Sequence, residues 1–120
     1  MSLVLNEEEL LLAQSVRTLL ARAAPVSAFR ALRDSRDPAR LDLGLWRQLI
    51  EAGFAAPQLP ADEGGLGFGY VAAGLIAQEM GRTLAATPFL STAVVIETLL
   101  AGGDASQRAR LLPGLSLIHI

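Results

Sequence analysis

Apolar residues recur at three- and four-residue intervals through most of this chain, which is the spacing of one face of an α-helix. The first run follows Asn6, a residue suited to an N-cap, and three glutamates that the helix dipole favours in a first turn. The pattern predicts a first helix over about 7–24, ended by Pro25, and a short second helix over about 25–32. The polar stretch 33–40 breaks the pattern and predicts a loop.

Glycine and proline mark the predicted ends of the next two elements. Asp42 is a candidate N-cap for a third helix, and Gly53 is its candidate left-handed stop. The segment 54–67 contains two prolines and three glycines and predicts a long loop. The almost wholly apolar segment 68–80 then predicts a helix buried on several sides, ended by Gly81.

The last third of the chain predicts two further helices. Pro88 is suited to the first position of a helix that runs to about residue 101. Asp104 or Ser106 can cap a final short helix that reaches about residue 112 and is stopped by Pro113. No segment shows the alternation of a strand, so the sequence predicts an all-α protein, a bundle of about five or six helices.

Composition adds the expectation that some apolar surface is meant to be covered. Of the 120 residues 52% are hydrophobic and 18% are charged, whereas soluble domains average about 45–50% and about 25%. A neighbouring domain, another subunit or an acyl chain could cover the excess, and a tightly packed bundle rich in alanine and leucine is the alternative.

Charge and residue usage exclude several classes of function. The net charge of −2 predicts no nucleic-acid partner, and the arginines of 30–40 are interpreted as a solvated face. The absence of cysteine excludes disulfides and thiol catalysis, and with His119 as the single histidine the sequence predicts neither a Ser-His pair nor a His-based metal site. The acidic N-terminus is unlike a signal peptide, and no charge-free run reaches the about 20 residues of a transmembrane helix, so we expect a cytoplasmic protein.

Two features on the predicted helices leave a choice between chemistry and structure. Glu79 is either a catalytic carboxylate in an apolar helix or, as the residues favour, a helix-end acid paired with Arg82. The stripe of Phe89, Thr92 and Ala93, continued by Ile96, is either plain core or a surface whose small residues leave room for an apolar chain. The residues alone favour core.

Five segments, in this order, resemble the N-terminal helical domain of the acyl-CoA dehydrogenases. They are the Asn-Glu-Glu-Glu start of the first helix, the W-x-x-L-x-x-x-G-F pattern of 46–54, the P-x-x-x-G-G-x-G pattern of 60–67, the Glu-Met-Gly-Arg of 79–82 and the Leu-Leu-Pro of 111–113. One departure is that Ala61 follows the proline where the family often has glutamate. The sequence of 81–89 resembles that of bacterial branches of the family that act on unusual acyl-CoA substrates.

The resemblance implies α,β-dehydrogenation of an acyl-CoA thioester with FAD as the hydride acceptor. In the family, the middle and C-terminal domains hold FAD, and the usual catalytic glutamate lies in the C-terminal domain. The resemblance therefore implies no catalytic residue and little or no bound FAD in this chain. It implies instead a wall of the acyl pocket, for which Phe89, Thr92, Ala93 and Ile96 are the candidate substrate-binding residues, within a homo- or hetero-oligomer of the full-length enzyme.

The end of the chain predicts a boundary. Residues 1–114 form the predicted domain, while 115–120 resemble the translation of a sequencing-library adapter and are expected to be a non-native tail. The leading hypothesis is an N-terminal fragment that is not competent alone. A stand-alone helical binding module and a non-catalytic small subunit of a heteromeric dehydrogenase are the alternatives.

Overall fold

The computed structural model describes residues 4–63 and 65–116, and this part of the chain is helical without a strand. The helices are α1 (Glu7–Ala23), α2 (Val26–Ser35), α3 (Leu43–Glu51), α4 (Gly69–Thr83), α5 (Phe89–Gly102) and α6 (Ala105–Ser116), with one 3₁₀ turn at Ala61–Glu63. The predicted all-α class and the predicted number of helices are confirmed. No helix in the described ranges is both long and apolar enough to cross a membrane.

The predicted N-caps act as their side chains suggest. The Asn6 Oδ1 accepts from the Glu9 amide at 2.8 Å, and the Glu9 Oε1 accepts from the Asn6 amide at 3.0 Å, which completes a capping box. Asp42 caps α3 by accepting from the Leu45 amide at 3.0 Å. Asp104 precedes α6, where its Oδ1 accepts from the Gln107 amide at 2.8 Å.

Three predicted helix ends are wrong. Helix α2 continues to Ser35, inside the predicted loop, and ends at Arg36 in a left-handed conformation. Gly81 lies inside α4, because glycine permits a left-handed stop without imposing one, and Leu84 makes the stop instead at φ 56°. Pro113 lies inside α6 instead of ending it. Because proline lacks an N–H group, α6 continues past this point with one backbone hydrogen bond fewer.

The helices pack in a slab about two helices thick. The shortest principal extent of the chain is 20 Å, against about 10 Å for one helix with its side chains. Helix α1 packs along α4, and α5 packs against both α4 and α6. The larger core cluster joins α1, α3, α4 and the start of α5, with Trp46 and Ile76 fully buried in it.

A second, smaller core cluster is formed by the long loop and the last two helices. It contains Ala56, Leu59, Ile96, Leu99 and Leu112. The loop closes over this cluster through hydrogen bonds from the Gly67 amide to the Leu59 carbonyl at 2.8 Å and from the Phe68 amide to the Pro57 carbonyl at 3.0 Å.

Gly65 is required where this loop turns back on itself. A Cβ atom at Gly65 would collide with the backbone of Leu59, and it would lie 2.6 Å from the Leu59 carbonyl carbon. Any side chain at this position would push the loop away from Leu59, which is fully buried. The glycine thus lets the loop seal the second core cluster.

Candidate functional site

The four predicted substrate-binding residues lie on the inward face of α5. Phe89, Thr92, Ala93 and Ile96 are all buried, with exposed fractions of 2%, 7%, 8% and 0%. Phe89 and Ala93 belong to the larger core cluster, whereas Ile96 belongs to the smaller one. The stripe therefore spans two core clusters and does not line one common cavity.

The backbone of this inward face is tied to the long loop. The Gln58 Nε2 donates a hydrogen bond to the Ala93 carbonyl at 3.1 Å, and Gln58 is itself buried. This contact explains why α5 and the loop share a core. As side chains of the domain interior, the four residues support the shape of α5, and their direct contact with a substrate stays a prediction.

The outward face of α5 carries three exposed aliphatic side chains. Leu90 exposes 70% of its surface, and Val94 and Val95 are also exposed. A helix of a free-standing domain normally places such residues inward and polar residues outward. The face thus has the composition of a surface that another domain, subunit or ligand covers.

A groove of about 230 Å³ lies where the C-terminal end of α4 meets the start of α5, and we call it the α4–α5 groove. Of the four predicted residues, Phe89 alone lines it. The full lining is Ala77, Met80, Gly81, Leu84, Ala85, Thr87, Phe89 and Leu90.

The turn between the two helices shapes this groove. Leu84 adopts the left-handed conformation that ends α4, and the Ala85 amide donates to the Met80 carbonyl at 3.0 Å. The turn is anchored from the other side by the Asp42 amide, which donates to the Ala86 carbonyl at 2.7 Å. The Thr87 hydroxyl lies 3.6 Å from the Met80 sulfur, and the groove presents mainly apolar surface.

The groove can bind an apolar group and offers no group for acid–base chemistry. None of its lining residues is titratable, and three of them, Ala77, Gly81 and Ala85, are small. The periodic pattern of α5 does not predict this surface, because the groove depends on the turn between α4 and α5. The left-handed Leu84 of that turn has no signal in the sequence.

Glu79, which the sequence offers as a candidate catalytic carboxylate, is buried. Two arginines bind it. Arg17 donates to it through Nε at 3.0 Å and through Nη2 at 2.8 Å, and Arg82 lies 3.2 Å away. These bonds, chiefly that from Arg17, hold the pKa of the Glu79 carboxyl below its ordinary value, and burial opposes them. The pairing with Arg82 confirms the structural interpretation, while Arg17 was missed because it lies 62 residues away in sequence.

No metal centre is formed by the part of the chain that the structure describes, since it contains no cluster of three His, Cys, Asp or Glu side chains suited to an ion. His119 and the end of the predicted tail lie outside the described residues.

Comparison with known families connects this arrangement to a group of enzymes. The family described as "Acyl-CoA dehydrogenase, N-terminal domain" matches residues 6–117. The chain belongs to the acyl-CoA dehydrogenase family. The match includes Leu115 and Ser116, which extend α6, so it runs past the predicted boundary at residue 114 without testing whether the tail is native.

Individual acyl-CoA dehydrogenases support the same assignment. The chain is 35% identical over 114 residues to the acyl-CoA dehydrogenase IpdE2 of Mycobacterium tuberculosis. This alignment covers 92% of this chain and 35% of that protein. A solved variant of the Tcur3481-Tcur3483 steroid ACAD superposes with a TM-score of 0.83 at 33% identity, over 92% of this chain and 30% of that one.

A second solved relative is the ChsE4-ChsE5 complex from Mycobacterium tuberculosis. It matches with a TM-score of 0.84 at 26% identity, over 98% of this chain and 32% of that one. The chain thus spans about a third of the length of the relatives it matches. What it presents is the N-terminal helical domain of an acyl-CoA dehydrogenase, with an open groove and an uncovered apolar helix face.

Proposed function

We propose that this chain is the N-terminal domain of a cytoplasmic, FAD-dependent acyl-CoA dehydrogenase that removes hydrogens from Cα and Cβ of an acyl-CoA thioester. Its contribution is a wall of the acyl pocket and part of the shell that excludes water from the reaction. The α4–α5 groove is the observation that carries this proposal, because a mainly apolar lining without titratable groups suits an acyl chain and no chemical step. The chain alone is therefore not competent for dehydrogenation.

Within this role, two parts of α5 act differently. Phe89 and Leu90 contact the acyl group in the groove, since both line it. Thr92, Ala93 and Ile96 lie beneath them in the interior and set the position of the helix. The candidate wall thus consists of the groove surface, supported by the predicted stripe.

We propose a bulky acyl-CoA, such as one with a polycyclic acyl group, as the substrate class, and the groove of about 230 Å³ would cover only one part of that acyl group. The similarity to a steroid ACAD at 33% identity supports the same class.

The α4–α5 groove does not fit FAD. Its volume of about 230 Å³ lies below the about 300–1,000 Å³ of pockets for molecules of that size. Its lining also offers no charged side chain for a diphosphate. We therefore assign the flavin to other parts of the intact enzyme.

The test of the groove is an Ala85→Leu variant of the intact enzyme encoded by the full reading frame. We expect kcat/KM for a polycyclic acyl-CoA to fall about ten-fold or more, and to fall less for a short acyl-CoA, because the added side chain fills the groove. Ala101→Leu is the matched control, since Ala101 is exposed on α5 and does not line the groove. Equal effects of the two substitutions on both substrates would contradict the proposed wall.

A second candidate function is a subunit of a heteromeric dehydrogenase, in which another chain completes the site. The uncovered apolar face of Leu90, Val94 and Val95 favours it, as does the similarity to the ChsE4-ChsE5 complex. Expression together with the neighbouring genes tests this candidate. Co-purification of a flavin-bearing partner is the expected result, and a flavin-free monomer that stays soluble would favour a stand-alone binding module.

A further inference from the structure

A cleft rich in arginine lies on the other side of the α4–α5 turn, and the proposed function does not use it. Its volume is about 450 Å³, within the about 300–1,000 Å³ typical of small-molecule sites. It is lined by Phe29, Leu32, Arg33, Arg36, Asp37, Arg40 and Ala86, and we call it the arginine cleft.

The cleft carries an excess of positive charge. Arg33 is neutralised by Asp34, whose Oδ1 accepts from the Arg33 Nε at 2.9 Å. Arg36 and Arg40 form no ion pair with any residue in 4–63 or 65–116. The Asp37 carboxylate also lines the cleft, so the two guanidinium groups without an ion pair leave its lining with a net positive charge.

The backbone at these same two arginines is unusual. Arg36 has φ 57° and Arg40 has φ 54°, a left-handed conformation that glycine and asparagine adopt far more readily than arginine. The loop holds this geometry through hydrogen bonds from the Arg40 amide to the Asp37 carbonyl at 3.1 Å and from the Ala39 amide to the Asp37 Oδ1 at 2.9 Å. At Arg36 this conformation ends α2, as Leu84 ends α4, whereas Arg40 adopts it outside a helix end. Strained backbone such as that of Arg40 is found more often at ligand sites than elsewhere.

The remaining lining provides an apolar contact beside the charges. Phe29 and Leu32, which lie one turn apart on α2, are only partly buried and border the cleft. A ring can pack on such a surface while guanidinium groups form paired hydrogen bonds with a phosphate. Charge and apolar surface together describe a ligand with an anionic group attached to a ring.

We propose that the arginine cleft binds a nucleotide-sized organic phosphate, with Arg36 and Arg40 holding the phosphate and with Phe29 and Leu32 packing against the ring. This inference goes beyond the proposed function, because none of these four residues lines the α4–α5 groove. Its test requires binding alone and no dehydrogenase activity, so it can fail without affecting the acyl-pocket proposal.

The experiment is calorimetric titration of the 120-residue chain with ADP at about 0.15 M salt, where long-range electrostatics are largely screened. The test variant is Arg36→Asn combined with Arg40→Asn, because asparagine tolerates the left-handed backbone and removes only the cation. The control is Arg47→Gln combined with Arg110→Gln, which removes the same charge from exposed helix positions outside the cleft.

The expected result is one saturable ADP site whose Kd rises about ten-fold or more in the asparagine variant and is unchanged in the control. Circular dichroism verifies that both variants remain folded. If the asparagine variant does not fold, Arg36→Lys with Arg40→Lys replaces it, since lysine keeps the charge but cannot form the bidentate contact. Equal weakening in the test and control variants, or no saturable binding by the unmodified chain, would overturn the proposal.

Two further titrations identify the source of the phosphate. Coenzyme A binding more tightly than ADP assigns the cleft to the nucleotide end of a CoA ligand. Equal Kd values assign it to a free nucleotide. Pyrophosphate binding as tightly as ADP would overturn the proposed role of Phe29 and Leu32.

Discussion

Replacing Glu79 with glutamine tests how the arginine pairs hold α1 to α4. The carboxylate is 4% exposed and accepts two hydrogen bonds from Arg17, at 3.0 and 2.8 Å, besides its pairing with Arg82 at 3.2 Å. Hydrogen bonds to charged groups contribute about 1.5–3 kcal/mol each when well shielded. Because both arginines are more than half exposed, solvent screening reduces this, and we expect Glu79→Gln to lower the free energy of unfolding by about 1–2 kcal/mol.

The pH dependence of this difference follows from the direction of the pKa shift. The folded protein holds the pKa of Glu79 below its ordinary value of 4.5, so the folded state favours the ionised form. The contribution is therefore fully present above about pH 4.5 and is lost as the pH falls through the lower pKa of the folded state. The stability difference between the unmodified chain and Glu79→Gln should be constant near neutral pH and shrink in acid.

Urea unfolding followed by circular dichroism measures both quantities. The matched control is Glu51→Gln, because Glu51 is exposed and forms no ion pair in the described chain, so its effect should stay within about 0.5 kcal/mol. A Glu79→Gln variant as stable as the unmodified chain at neutral pH would refute this reasoning. So would a stability loss that does not change between neutral pH and pH 3, far below about 4.5.

Two further predictions concern the loop and the inward face of α5. Gly65→Ala should destabilise the chain by about 1–3 kcal/mol in thermal or urea unfolding because the new Cβ meets buried backbone, whereas Gly74→Ala, at an open helix position, should stabilise it by about 0.5–1 kcal/mol. Similar effects at both glycines would contradict the loop geometry. Ile96→Ala should lower the free energy of unfolding by about 2–5 kcal/mol in the same assay, because the Ile96 side chain is fully buried. Val94→Ala, on the exposed face, should lower it by well under about 1 kcal/mol. A loss of unfolding free energy well below about 2 kcal/mol for Ile96→Ala would show that α5 does not pack as described.

Local signals were sufficient to predict most of the helices. Asn6, Asp42 and Asp104 each accept from a backbone amide three residues ahead, so their effect depends on neighbours that the sequence shows directly. The family resemblance rested on short segments of the same kind, and the match over 6–117 confirms it.

Features that depend on the tertiary structure could not be predicted in this way. Glycine allows a helix end, which makes Gly81 the predicted stop of α4, but the left-handed residue is Leu84, where the chain turns toward α5. The pairing of Arg17 with Glu79 joins residues on two helices far apart in sequence. The α4–α5 groove likewise arises from the turn between two helices, so its lining had no periodic signature.

The central claim, that this chain is the N-terminal domain of an intact acyl-CoA dehydrogenase, is tested most directly by reading the genomic DNA past the codon for Gly114. The account predicts that the natural sequence departs from residues 115–120 and that the frame continues into a strand-rich segment and further helices bearing a catalytic glutamate. A frame that encodes residues 115–120 and stops after Ile120 in the intact genome would contradict it.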